Sequence, residues 1–503
     1  MTIQQLIATT GFLALTASLA VGQANSTPTS NSPTTRSVTA VQGLETTDIL
    51  DAFLRREMSQ RRIPGMQVAV VKGGQLVLLK SYGIANLQDS TPVTNRSIFS
   101  INSCTKAFTG VAIMQLVEAG KVELTAPLSR YLDGLPIAWQ PITIRQLLTH
   151  ISGLPDILRV LSTGETNEET AWAKVQTLPM DFPTGEQFSY NQTNYVLLGK
   201  VIDKFNGKPF TEVFRERQFR VAGMPSTGFG DSRDVIPGKA PSYRYVTNMD
   251  GQSFSNPKLT TVYEEFPPFR RTASGMNSTA EDLAHWIIAL QRGNLLRTRA
   301  ALDTMWTAGR YNNGLPTQWA LGWGLTKFRP EHRAVGMTGG GRSAFLAYPD
   351  DDLAIVVLTN LSGSFPEDFM EELAGYFNPA IPLSDPITNL RMQLQKRGFG
   401  QAITVVTEMR KRNSILRPTE TDLNDWAYRL MSKGQKREAF ELFKLNVSLY
   451  PDSWNVYDSL AEVYGQMGNR QLAIENYKRS LALNPGNTNA STALKQFTQS
   501  GKN

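Results

Sequence analysis

Three short clusters in this 503-residue chain carry side chains suited to chemistry. The first is Ser103-Cys104-Thr105-Lys106. It opens an apolar run (Phe108, Val111, Ala112, Leu116, Val117) that stops at Gly120 and predicts a helix. Residues three apart share a helix face, so Lys106 is expected to reach the Ser103 hydroxyl. A helix N-terminus favours negative charge developing on a serine, and a nearby cation that loses its proton serves as its base. The spacing S-x-x-K is weak by itself, since about two arise by chance in a chain this long, and Ser103 reads equally well as a plain N-cap. The second cluster is Tyr190-Asn191-Gln192. A tyrosine between cations has its phenol pKa lowered and shuttles a proton; taken singly, it is a half-buried aromatic. The third is Met337-Thr338-Gly339-Gly340-Gly341, directly before a strand pattern. Glycines there let a backbone approach a substrate, or simply make a turn.

In this order and at these separations, the clusters resemble the serine β-lactamase and penicillin-binding-protein family, especially its class C-like branch of esterases and D-peptidases. Leu147-Leu148-Thr149-His150-Ile151-Ser152-Gly153-Leu154-Pro155 is similar to a structural signature of that branch, and the stretch from Ala273 to Leu283 is similar to another. The resemblance spans roughly residues 46–376. It implies that Ser103 is acylated, that Lys106 and Tyr190 handle its proton, and that the backbone N–H groups of Ser103 and Gly340 form an oxyanion hole. Gln192, Met337, Thr338 and Gly339 would line the substrate edge, and His150 would be structural. It implies no cofactor and no metal.

Two departures from the family pattern matter. Gln192 stands where Y-x-N has asparagine, which moves the amide by one methylene. Met337 stands where the third element usually has a cation or imidazole, so Tyr190 should be harder to deprotonate and Lys106 should carry more of the base role. His332 lies five residues before Met337, on the opposite face of a strand, and does not substitute. The missing cation also favours an ester or D-amino-acid peptide over a β-lactam as substrate. The alternative is a catalytically weak member that binds a ligand or protein partner.

Composition excludes other classes. Hydrophobic residues make up 41%, as in ordinary globular proteins. The single cysteine, Cys104, rules out an internal disulfide, and its place beside the nucleophile reads as a small buried residue. His150, His285 and His332 lack metal-ligand spacing. There is no G-x-S-x-G elbow, P-loop or dinucleotide fingerprint. Most of the +7 net charge falls after residue 384, where 17 Lys and Arg face 11 Asp and Glu. No basic run exceeds three residues, so a solvated face is expected and nucleic-acid binding is not.

The elements that must position these residues are also legible. Residues 1–24 are uncharged and mostly apolar before Gly22-Gln23-Ala24, which reads as a signal peptide and implies export to the periplasm or medium. Membrane association would require that segment to be retained. Residues 25–45 read as a flexible linker. A helix is expected from about Thr46 to Pro64-Gly65. Gln67–Val71 and Leu76–Leu79 flank Gly73-Gly74 as a hairpin, and Ala344–Tyr348 and Leu353–Leu358 form a second. Strands at both ends around a helical middle predict an α+β domain, residues 46–376, with one antiparallel sheet flanked by helices. Residues 377–386 read as a linker and 387–412 as a helical pair. Residues 419–495 read as repeats of period 34, in which Ala427 matches Ala461, Gly434 matches Gly468, Phe443 matches Tyr477 and Pro451 matches Pro485. This resembles two tetratricopeptide (TPR) repeats, whose grooves typically hold protein segments, so a protein partner is expected, and two repeats serve equally as a structural dock onto the catalytic domain.

Overall fold

The computed structural model describes residues 38–499, apart from 163, 165, 166, 250, 251, 328, 414 and 415. The expected signal peptide, 1–24, lies outside them, as does most of the 25–45 linker. Helix α1 (Val38–Arg61) begins earlier than expected, so the last residues assigned to the linker are helical.

The seven-stranded antiparallel sheet consists of β1 (Gly65–Lys72), β2 (Gln75–Asn86), β3 (Thr91–Pro92), β4 (Leu325–Lys327), β5 (Ala334–Gly339), β6 (Ser343–Tyr348) and β7 (Leu353–Thr359), in the order β3-β2-β1-β7-β6-β5-β4. Both expected hairpins form. β1 pairs with β7, with Val68 opposite Val357, so the two ends of the domain meet at the sheet centre. The strands alternate faces, and both faces are buried. Leu353, Ile355 and Val357 meet Leu50, Phe53 and Leu54 of α1 and Phe369 and Met370 of α5 (Glu367–Ala374). Ala354, Val356 and Leu358 meet a larger core built on α2 (Thr105–Glu118), α3 (Gln192–Asn206) and α4 (Ala280–Gln291). There Phe108 stacks on Trp286 with centroids 4.0 Å apart. This is the expected α+β arrangement, one antiparallel sheet flanked by helices.

The expected 377–386 linker is not bare chain. Ala380–Ser384 is a short helix that buries Ile381, because this apolar side chain is drawn into the core beneath α1 and α5. Next come α6 (Pro386–Arg397), α7 (Ala402–Arg412), α8 (Glu420–Ser432), α9 (Lys436–Leu449), α10 (Trp454–Gln466), α11 (Arg470–Leu483) and α12 (Thr488–Gln499). α8, α10 and α12 begin 34 residues apart, as do α9 and α11. Ala427, Ala439, Phe443 and Leu442 of this helical region share a core with Leu390 and Val405 of the preceding pair. Residues from Ile49 onward form one body. Ion pairs join the helical region to the sheet domain: Lys327 to Asp385 (2.7 Å), Arg329 to Asp385 (3.5 Å), and Arg429 to Asp368. Among the described residues, no helix is long and apolar enough to cross a membrane.

Candidate active site

Ser103 lies in a 3-10 turn, Asn102–Cys104, that runs into α2. Its side chain caps no helix, since no side-chain cap bond forms at either N-cap there. The Ser103 hydroxyl instead accepts a hydrogen bond from Tyr190, 2.8 Å from phenol to Oγ. Lys106, one turn along and fully buried, makes no hydrogen bond to Ser103. Its Nζ donates to Gln192 Oε1 (3.1 Å) and to the Ala273 carbonyl (2.8 Å), and lies 4.6 Å from the centroid of the Tyr190 ring. Two acceptors satisfy the two N–H bonds of a neutral amine and leave its lone pair free. Burial, reinforced by the positive charge of Arg270, pushes the Lys106 pKa well below the usual lysine value. Burial thus favours the neutral amine more than it is favoured in a solvent-exposed lysine.

Tyr190 behaves differently from a tyrosine set between cations. Although 38% of its surface is open to the cleft, burial of its hydroxyl region pushes its pKa up to about 12, against the opposing bond to Ser103. At neutral pH it is a proton donor. Met337 is 2% exposed, packed in the main core, and adds no charge that would lower the phenol pKa. Met337 consequently does not line the open cleft as expected of a substrate-binding residue. Within that strand only Thr338 is partly exposed. Gln192, at the first turn of α3, is 7% exposed, and its carbonyl oxygen is occupied by Lys106.

The glycines after Met337 lie against the turn that carries Ser103. A Cβ on Gly339 would lie 2.0 Å from the Ile101 carbonyl and 3.1 Å from the Ser103 nitrogen, so only glycine lets β5 approach this turn. Gly340 and Gly341 turn the chain with positive φ. Among the described residues, the backbone amides of Ser103 and Gly340 donate to no protein acceptor, which leaves both free for an oxyanion.

The two signature stretches hold this machinery in place. Asn191 caps α3 and donates to the Leu154 carbonyl (2.6 Å), and its N–H donates to His150 Nδ1 (3.0 Å). His150 is fully buried, its pKa is driven well below normal by burial and by Lys106, and its ring lies 4.6 Å from that of Tyr190. It packs against the Tyr190 ring and accepts the Asn191 N–H. Ala273 opens the second signature and supplies the carbonyl that fixes Lys106. Cys104 is buried, and its thiol pKa is pushed up by burial, so it is no nucleophile. His332 pairs with Asp351 (2.8 Å), away from the site.

Several residues here carried no sequence signal. Asp156 accepts from the Gln192 amide (3.3 Å), and its charge acts on Lys106. Arg270 is a second cation whose field reaches both Lys106 and Tyr190. Asn102, with φ +44, donates to Glu264 (2.8 Å) and accepts from Arg342 (2.8 Å), which also pairs with Glu264. This buried triad braces the turns that carry Ser103 and Gly340. No group of His, Cys, Asp and Glu among the described residues is placed to hold a metal ion.

Residues 50–375, well over half of the chain, match the family model described as Beta-lactamase. The chain belongs to the beta-lactamase family. Its members are serine hydrolases acting on β-lactam, amide or ester bonds. The chain is 27% identical to penicillin-binding protein 4* of Bacillus subtilis (strain 168) over 58% of this chain and 67% of that protein. It spans about two thirds of the length of the curated relatives it matches. The octameric penicillin-binding protein homologue from Pyrococcus abyssi superposes with a TM-score of 0.55 at 25% identity, over 70% of this chain and 81% of that one. D-amino acid amidase from Ochrobactrum anthropi SV3 shares the fold, with a TM-score of 0.56 at 22% identity over 67% and 99% of the two chains.

Proposed function

We propose that this beta-lactamase family member is an exported, class C-like acyl-enzyme hydrolase of ester or D-amino-acid amide bonds, with Ser103 as nucleophile. The observation that carries it is the 2.8 Å bond between Tyr190 and Ser103 beside a Lys106 whose amine is shifted towards the neutral form by burial. Ser103 Oγ bonds to the substrate carbonyl carbon as its proton passes to the Lys106–Tyr190 pair. The amides of Ser103 and Gly340 hold the oxyanion, and the pair returns a proton to the departing alcohol or amine as its bond to carbon breaks. Water then repeats the steps in reverse roles and releases the acid. The apolar side chain at position 337 supports an ester or amide over a β-lactam, since it offers no cation to a substrate carboxylate.

One observation favours a weaker catalyst that chiefly binds: the Tyr190 phenol, pushed up to about 12, makes phenolate scarce. In either case the C-terminal helices are read as a TPR-like module for a protein partner, on the strength of their 34-residue spacing. Intact-mass analysis of residues 25–503 after treatment with a fluorophosphonate, and separately with a penicillin, tests the scheme. Labelling that Ser103→Ala abolishes supports it, with the fluorophosphonate expected to react faster. Absence of labelling by either reagent in folded protein overturns it in favour of the binding reading.

A further inference from the structure

A cavity of about 880 Å³ lies between the sheet domain and the helical region, away from Ser103. Its walls carry five cations, Arg61, Arg62, Arg391, Arg429 and Lys433, and only two carboxylates, Glu57 and Asp368. Those carboxylates are already engaged. Glu57 pairs with Arg61 (3.1 Å) and Arg56 (3.3 Å), and Asp368 with Arg61 (3.1 Å) and Arg429. Arg62 packs over the Tyr245 ring, 3.8 Å from its centroid, and two further cations remain. Arg391 is 8% exposed, lies 3.9 Å from Asp368, and donates no hydrogen bond among the described residues. Lys433 has no ion pair or hydrogen-bond partner among them. Burial and the neighbouring charge of Arg61 push the pKa of Lys433 down to about 8 and lower that of Arg391. Arg391, which lies over Trp426 and shares Asp368 with Arg61 and Arg429, and Lys433, whose side chain has no ion pair, leave excess positive charge on these walls that a bound anion would compensate. Trp426, Phe399 and Leu361 supply apolar surface on the same walls, and the volume is that of a small-molecule site.

We propose that this cavity binds a small organic anion, its phosphate or carboxylate group held by Arg391 and Lys433 and its apolar part set against Trp426 and Phe399. The site is separate from the acyl-enzyme chemistry, and its test does not depend on that chemistry. Titration calorimetry on the protein from residue 25 would use phenyl phosphate, phenylacetate and, as the uncharged control, benzyl alcohol. The expected result is one saturable site for at least one anion, at least tenfold weaker binding of benzyl alcohol, and at least fivefold weaker anion binding in Arg391→Gln or Lys433→Gln. The tighter anion identifies the group that the site takes. Prior covalent labelling of Ser103 should leave the titration unchanged. Absence of saturable binding by both anions, wild-type affinity in both variants, or loss of binding on Ser103 labelling would overturn the proposal. Lys433 is partly exposed, so Lys433→Gln keeps the test decisive should Arg391→Gln fold poorly.

Discussion

At the scale of single residues, the protonation state of one buried lysine sets the chemistry. Acylation needs neutral Lys106, so its rate should rise with pH through the depressed lysine pKa, well before an ordinary lysine would titrate, and then level off. Towards pH 12, where Tyr190 ionises and phenolate becomes available as a further base, it should rise again. Arg270 lowers the Lys106 pKa and Asp156 raises it. Arg270→Ala should therefore move the acid limb of the pH–rate profile to higher pH, and Asp156→Asn should move it to lower pH; shifts in the same direction in both variants would refute the assignment. Lys106→Ala should slow Ser103 labelling by about 10²–10⁴-fold, the usual range for a lost general base, read by stopped-flow mass analysis.

At the scale of elements, the distance between β5 and the turn before α2 is what brings the oxyanion amides to the nucleophile. Gly339→Ala would drive a Cβ into the Ile101 carbonyl. It should cost roughly 1–3 kcal/mol in denaturant unfolding, the usual size of an overpacking penalty, and abolish labelling. Retained labelling would show that the turn yields instead. Much of this geometry was legible in advance. Ser103, Lys106, Tyr190 and Gly340 were readable because their spacing and flanking periodicity are local signals, and the hairpins at both ends foretold the sheet. Asn102, Glu264 and Arg342 were not, because they lie 78 to 240 residues apart and meet only once the chain has folded. Met337 was misplaced for a related reason. A motif position names a site, but an apolar side chain there turns towards the core that burial rewards.

At the scale of the whole molecule, a network of buried charges ties the helical region to the hydrolase domain. Asp385 is central. Burial raises its pKa, but Lys327 and the Thr388 bonds outweigh that and hold it at about 2. A carboxylate lowered in the folded state gives stability that is present above the unfolded pKa near 4 and is lost as pH falls through 2. This group should thus contribute roughly 2 kcal/mol at neutral pH. Thermal melts between pH 5 and 2 should show a falling midpoint that Asp385→Asn flattens; an unflattened curve would place the acid sensitivity elsewhere. Removing residues 386–503 should lower the melting temperature, since Asp368 then loses Arg391 and Arg429, while Ser103 labelling persists.

The pairing of β1 with β7 also governs when activity first exists during synthesis. A chain made from its N-terminus carries Ser103, Lys106 and Tyr190 long before residues 353–359 emerge, yet the central strand pair waits for them. Until then β1 lacks its inner neighbour and Gly340 has no sheet to present it. The nucleophile is therefore inert on an unfinished polypeptide. A ribosome stalled before residue 353 displays every side chain of the site with no means of assembling it.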